Sequence, residues 1–188
     1  MGHQFSDLDA VGSAVGMWSA ATKGVKKPAY IVIDRNATMA MPIVDEIEAV
    51  HDSEEKIFIS EEEALDMLTP RSLVIVVDTH SPDFVESKEL LNEAQRVVVI
   101  DHHRMMVKHI DNAVVFYHEP YASSASEMVS ELVQYIGNTV LSKEEADALL
   151  AGIMLDTKNF VLKSGVRTFE AAAYLRRRGA DTVVVKKM

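Results

Sequence analysis

The chain has 188 residues, 48% of them hydrophobic and 26% charged, which suits a globular protein with one sizeable core. A formal net charge of -10 excludes a nucleic-acid groove built on bulk positive potential, so no duplex partner is expected. An anionic substrate stays open, because bound cations reverse the local sign; the absence of cysteine excludes disulfides and thiolate zinc sites and fits a reducing compartment.

In chain order, the first pattern is a helix over 9–22, with Val11, Val15 and Trp18 at helical spacing. Gly12 and Gly16 on it are expected to let it approach a sheet closely. A strand over 29–33 ends at Asp34, and a short strand covers 56–59. Ser60 and Glu63 have the spacing of a capping box and open a helix over 61–68. The strongest strand, 73–77, runs Leu-Val-Ile-Val-Val into Asp78; so continuous an apolar run predicts burial on both faces, as in a parallel sheet. It is also the longest apolar run and far too short to span a bilayer. Strand 97–100 ends at Asp101, and a further strand covers 113–117. Ser124 with Glu127 and Ser142 with Glu145 repeat the capping-box spacing and open helices over 125–136 and 143–155. A last helix over 168–178 carries Arg176, Arg177 and Arg178 at its negative end and is closed by Gly179. The first residues have neither a basic nor an apolar segment of the signal-peptide kind. The expectation is an α/β fold in one domain over 1–188: a doubly wound, mostly parallel sheet flanked by helices.

Acidic and imidazole side chains gather in four segments of this pattern. They are His3 with Asp7 and Asp9, then Asp78, then Asp101-His102-His103, then Asp156. Carboxylates and imidazoles without sulfur are the ligands of a divalent cation such as Mn²⁺. The strand-end members sit where α/β sheets place their chemistry, past the carboxyl ends of strands. Asp7 and Asp9, two apart, face the same way if the segment is extended and so serve two metals side by side. Taken singly, each has an ordinary reading: Asp9 as a helix N-cap, Asp34 and Asp78 as turn residues. The joint pattern favours ligation, while His51, His80, His109 and His118 are expected to be non-ligands. Glu61 to Glu63 read as a solvated first helical turn, Lys186-Lys187 as a polar end, and Met39, Met41, Met105 and Met106 as packing residues.

Together these residues resemble the DHH phosphoesterase superfamily, which takes its name from the triplet seen here as Asp101-His102-His103. Several stretches look closer to the GdpP-type cyclic-di-AMP phosphodiesterases. They are Gly2-His3 through Asp9-Ala10-Val11-Gly12, Val77-Asp78-Thr79-His80-Ser81-Pro82, Glu119 through Ser124, Gly152 through Phe160, and Gly165 through Arg176. The resemblance implies a dinuclear Mn²⁺ site. His3, Asp7 and Asp78 would hold one ion; Asp9, Asp78, His102 and Asp156 would hold the other, with Asp78 bridging. Asp101 would orient a histidine and His103 would face the substrate phosphate. It implies hydrolysis of cyclic di-AMP to pApA by in-line attack of a bridging hydroxide, with Asp78, Asp101, His102 and His103 as the catalytic set. Related activities are hydrolysis of short linear dinucleotides such as pApA, and a manganese pyrophosphatase that the Gly165 stretch disfavours. The resemblance departs at three places: no apolar strand precedes Gly2, no C-terminal companion substrate-binding domain follows Met188, and Met105 stands where a basic residue is expected. His3 is therefore expected to sit near a frayed terminus, and the chain alone to bind metal with little turnover. The same resemblance implies a cytoplasmic domain of a membrane-anchored parent, able to form a homodimer.

Overall fold

Among the described residues, the runs of β-branched residues that form strands pair in parallel. The computed structural model describes residues 1–51 and 56–188. Strand β1 (Ile31–Val32) pairs with β2 (Phe58–Ile59). A second ladder has the order β3 (Val74–Val77), β4 (Val97–Asp101), β5 (Val115–His118). The pleat sends alternate residues to opposite faces, so each strand feeds two cores. Ile31, Phe58, Val77 and Ile100 join one core; Val32, Ile59, Val76 and Val99 join the other.

Helices cover both faces, as the doubly wound expectation required. The first core is closed by α1 (Leu8–Ser19), α2 (Met41–Val50), α5 (Ala125–Leu132), α6 (Lys143–Asp156), α7 (Val166–Arg177) and α8 (Thr182–Val185). The second is closed by α3 (Glu61–Met67) and α4 (Lys88–Glu93), through Ala64, Leu90 and Leu91. Each fully buried Leu, Ile or Phe contributes about 1.5–3 kcal/mol, so the larger core dominates stability. None of these helices is long and apolar enough to cross a membrane, among the described residues.

Helix α1 is the central element, with every residue except Leu8 and Met17 buried. It ends at Ser19 and gives way to a π-helical turn, Ala20–Gly24, short of the expected 22. Its glycines serve helices rather than the sheet, contrary to expectation. A Cβ on Gly12 would lie 2.3 Å from the Ala148 carbonyl oxygen on α6, and one on Gly16 would lie 2.5 Å from Val129 on α5. Strand β1 is shorter than the apolar run suggests, and just before it the Trp18 indole N–H donates to the Ala29 carbonyl. Helices α2, α4 and α8 had not been expected. The first lacks a side-chain cap, and the other two are 6 and 4 residues long, too short for a periodic signal.

The N-terminal segment is pinned, not frayed. The Met1 ammonium donates to the Ile75 carbonyl at 2.9 Å, and Val77 N–H donates to the Met1 carbonyl at 3.0 Å. Gln4 N–H donates to the Phe84 carbonyl and Glu86 N–H to the Gly2 carbonyl. His3 thus stands in a short bridge opposite Val85, beside the end of β3.

Candidate metal centre

All eight acidic and imidazole residues singled out in the sequence meet at one end of the sheet. Asp78 follows β3, and Asp101 ends β4 with His102 and His103 next in the chain. Helix α1 points its N-terminus at the same place, and α6 delivers Asp156 as its last residue. Three groups have ligand atoms within 4.8 Å of one another: His3, Asp7 and Asp78; Asp9, His102 and Asp156; Asp78, His102 and His103.

Asp78 lies between the first two groups. One of its oxygens is 3.4 Å from His3 Nε2 and the other 3.3 Å from His102 Nε2. Its backbone has φ +60, the left-handed region, which costs a non-glycine residue about 1–3 kcal/mol. The N–H of Asp78 donates to the Ile100 carbonyl, which holds this conformation against the neighbouring strand.

Asp7 and Asp9 are not in an extended segment. Asp7 is the N-cap of α1, accepting from the N–H groups of Asp9 and Ala10 at 2.9 and 3.1 Å. Asp9 therefore sits inside the first turn and turns the other way, onto the N-terminus of α5. Its two oxygens accept from Ala125 N–H at 2.7 Å and Ser126 N–H at 2.8 Å. One residue caps its own helix while the other caps a helix 116 positions away, so the pair still divides between two sets of partners.

The charge balance is tense. Burial pushes the Asp9 carboxyl well up, and the nearby Asp78 and Asp156 push the same way. Burial opposes charge on His3 and His102, yet Asp7 and Asp78 around the first, and Asp156 and Asp78 around the second, push both imidazoles up to about 11. Burial also opposes ionisation of Asp101, and hydrogen bonds from His103 and His80 nevertheless hold it well below the usual carboxylate range.

Two atoms decide what the centre can hold. Asp78 Oδ1 and His102 Nε2 are buried and make no hydrogen bond. His102 Nε2 has carboxylate oxygens of Asp156, Asp78 and Asp9 at 3.1, 3.3 and 3.7 Å. Two atoms each about 2.1 Å from one octahedral ion lie about 3 Å apart, so the Asp156 and Asp78 separations suit co-ligands of one ion. The donor set, all oxygen and imidazole nitrogen, fits Mn²⁺ or another divalent cation of that kind.

His80, set aside in the sequence as a non-ligand, belongs to the support of this centre. It is buried, its Nδ1 is hydrogen-bonded to Asp101, and its Nε2 accepts from Met106 N–H at 2.9 Å. That acceptor role leaves the ring proton on Nδ1, directed at Asp101. Asp101 in turn accepts from His103 Nδ1 and N–H at 2.8 and 3.2 Å. A His80–Asp101–His103 chain thus fixes the imidazole nearest solvent. His80→Ala is expected to weaken divalent-metal binding about 10–100-fold, the usual effect of losing such an outer partner. His80→Asn, which keeps a donor near Asp101, should recover part of it; equal losses in the two variants would assign His80 to packing alone.

Glu127 also departs from its expected capping-box role. It does not close a box with Ser124; its carboxylate accepts from Ser123 N–H and Oγ and from Thr168 Oγ1 at 3.2, 2.6 and 2.6 Å. The box at Ser60 and the one at Ser142 form with both hydrogen bonds present. No local pattern reveals the Glu127 difference, because Thr168 is 41 positions away.

Known proteins resemble this chain over its whole length. The cyclic-di-AMP phosphodiesterase GdpP of Geobacillus thermodenitrificans is 45% identical over 191 residues, covering 100% of this chain and 29% of that protein. The cyclic-di-AMP phosphodiesterase PdeA of Listeria monocytogenes is 42% identical over 190 residues, again covering 100% of this chain and 29% of the relative. The chain thus spans less than a third of these curated relatives. A crystal structure of an exopolyphosphatase-related protein from Bacteroides fragilis superposes with a TM-score of 0.77 at 21% identity, over 99% of this chain and 54% of that one, and so shares the fold. The family described as "DHH family, N-terminal domain" matches residues 1–153, ending just before Asp156. With that match over most of its length, the chain belongs to the DHH family.

Proposed function

We propose that residues 1–188 form the metal-bearing domain of a longer phosphodiesterase that hydrolyses cyclic di-AMP to pApA, using two Mn²⁺ ions. The observation that carries this reading is Asp78, a buried carboxylate placed between two ligand groups with one oxygen lacking any hydrogen bond. Identity above 40% to two proteins named for this activity supports the substrate. In this reading His3, Asp7 and Asp78 hold one ion, and Asp9, Asp78, His102 and Asp156 hold the other. Two divalent cations balance the four aspartates Asp7, Asp9, Asp78 and Asp156.

When bound, the ions supply charge that activates water and neutralises a phosphoryl group. The chain's own side chains do the rest. Asp101 accepts from His103 Nδ1 and raises that imidazole's hold on a proton, burial opposing. The side chain of His103 is half exposed at the mouth of the centre, so its Nε2 is free to stabilise a phosphoryl or departing oxygen. Asp7 and Asp9, tied to the starts of α1 and α5, keep their positions without substrate, so little reorganisation is needed on binding. The companion domain of the parent chain is expected to grip the nucleotide, and the parent is expected to place this domain in the cytoplasm.

The test is metal stoichiometry with product analysis. Two Mn²⁺ per chain by isothermal titration, and pApA as the Mn²⁺-dependent product of the parent chain on cyclic di-AMP, are expected. A parent that releases no pApA, or a chain that binds at most one ion, overturns the reading.

A further inference from the structure

A cleft of about 820 Å³ opens beside the metal centre, at the carboxyl ends of β1 and β2. Its size is that of a small-molecule site, and open α/β sheets bind ligands at this edge. The floor is apolar, made by Val32, Ile33, Phe58 and Ile59, all buried. The lip is made by Gln4 and Phe5, the two residues directly after His3. The cleft and the proposed metal site therefore share one short loop.

Phe5 is unusual in two ways. The residue is 64% exposed, and its backbone has φ +55, a conformation that disfavours large side chains. Gln4 N–H, bonded to the Phe84 carbonyl at 2.7 Å, anchors the loop just before it. An exposed aromatic ring held in a strained backbone at a cleft lip gains nothing for the core; it offers a face for stacking.

Electrostatics separate the ligand classes. The two cations of the cleft are already engaged: Arg35 with Glu48, and Lys56 with Glu63. The remaining charges are acidic, with Asp34, Glu61, Glu62 and Glu86 on the walls. Such a cleft repels phosphate and accepts hydrogen bonds from amines and hydroxyls. A purine amine, ribose hydroxyls and a flat ring meet an acidic wall, an apolar floor and an aromatic lip.

We propose that this cleft receives the base and ribose of one adenosine unit of the substrate while its phosphate lies at the metal centre. The proposal rests on the nucleotide reading above and adds a subsite to it. It assigns Phe5 as the stacking residue.

The experiment is a titration of the ¹⁵N-labelled chain with adenosine, in Mg²⁺ to avoid paramagnetic broadening, followed by amide shifts. Saturable shifts are expected at Gln4, Phe5, Ile33, Asp34 and Ile59. Phe5→Ala should weaken the binding at least tenfold and Phe5→Tyr should restore it. Inorganic phosphate should move none of these amides. Absence of saturable shifts, indifference to Phe5→Ala, or equal shifts with phosphate overturns the proposal. Adenosine has no phosphodiester, so a failure of the hydrolysis assay leaves this result untouched, and the two readings fail separately.

Discussion

Asp78→Ala is expected to remove Mn²⁺ from both halves of the centre and to lower hydrolysis by the parent chain on the order of 10³-fold or more. In the proposed two-ion reading a shared ligand would be lost to both ions at once, and the charge stabilisation they would provide is several kcal/mol, at 1.36 kcal/mol per tenfold. The neighbouring groups reinforce the effect. His3 Nε2 and His102 Nε2 both face Asp78 at 3.4 and 3.3 Å, so without its carboxylate each loses an anionic neighbour as well as a co-ligand. Asp78→Asn, which keeps the shape and drops the charge, is expected to fail in the same way. Titration with Mn²⁺, beside a circular-dichroism melt to establish folding, decides the matter. A folded Asp78→Ala chain that still takes up two ions would falsify the bridging role.

The second large effect needs no ligand to be touched. Gly152→Ala is expected to cost about 1–3 kcal/mol of stability, as overpacking does, and to weaken Mn²⁺ binding about 10–100-fold. Helix propensity alone argues the other way, favouring alanine over glycine inside α6 by about 1 kcal/mol. The packing outweighs it. A Cβ at 152 would stand 2.2 Å from Ser126 Oγ, 2.6 Å from Asp9 Oδ1 and 2.8 Å from Asp9 Cα. The hydroxyl can rotate away, but the Asp9 backbone cannot, so α1 and α6 must separate and carry Asp9 off the N-terminus of α5. Urea unfolding and Mn²⁺ titration of the variant read both consequences. A variant as stable as the parent sequence, with unchanged metal affinity, would show that the helices part without cost.

Much of the fold was legible because its signals are local. The strand runs before Asp34, Asp78 and Asp101 mark buried parallel strands, and the boxes at Ser60 and Ser142 mark helix starts. The acidic residue at the end of each strong strand was legible for the same reason. What escaped depends on partners distant in the chain. Asp9 caps α5 rather than α1, His80 serves Asp101 from 21 positions away, and Gly12 answers to Ala148. The pinned His3 was hidden too, since its segment is held by Phe84, Val85 and Glu86, about 80 positions on. Helix α2 was missed because Ala40 offers no capping side chain, so the start signal is absent.

The ligand groups bracket the chain, from His3 near its start to Asp156 at the end of α6. This has a consequence for biosynthesis. At about 5–20 residues per second, translation separates the first candidate ligand from the last by roughly 8–30 s. During most of that interval the early carboxylates lack α5, and throughout it they lack Asp156. A cation captured then would meet a partial set. In the proposed reading, loading would wait until the ribosome has delivered α6 and it has docked on α1, so the ion would report a finished domain.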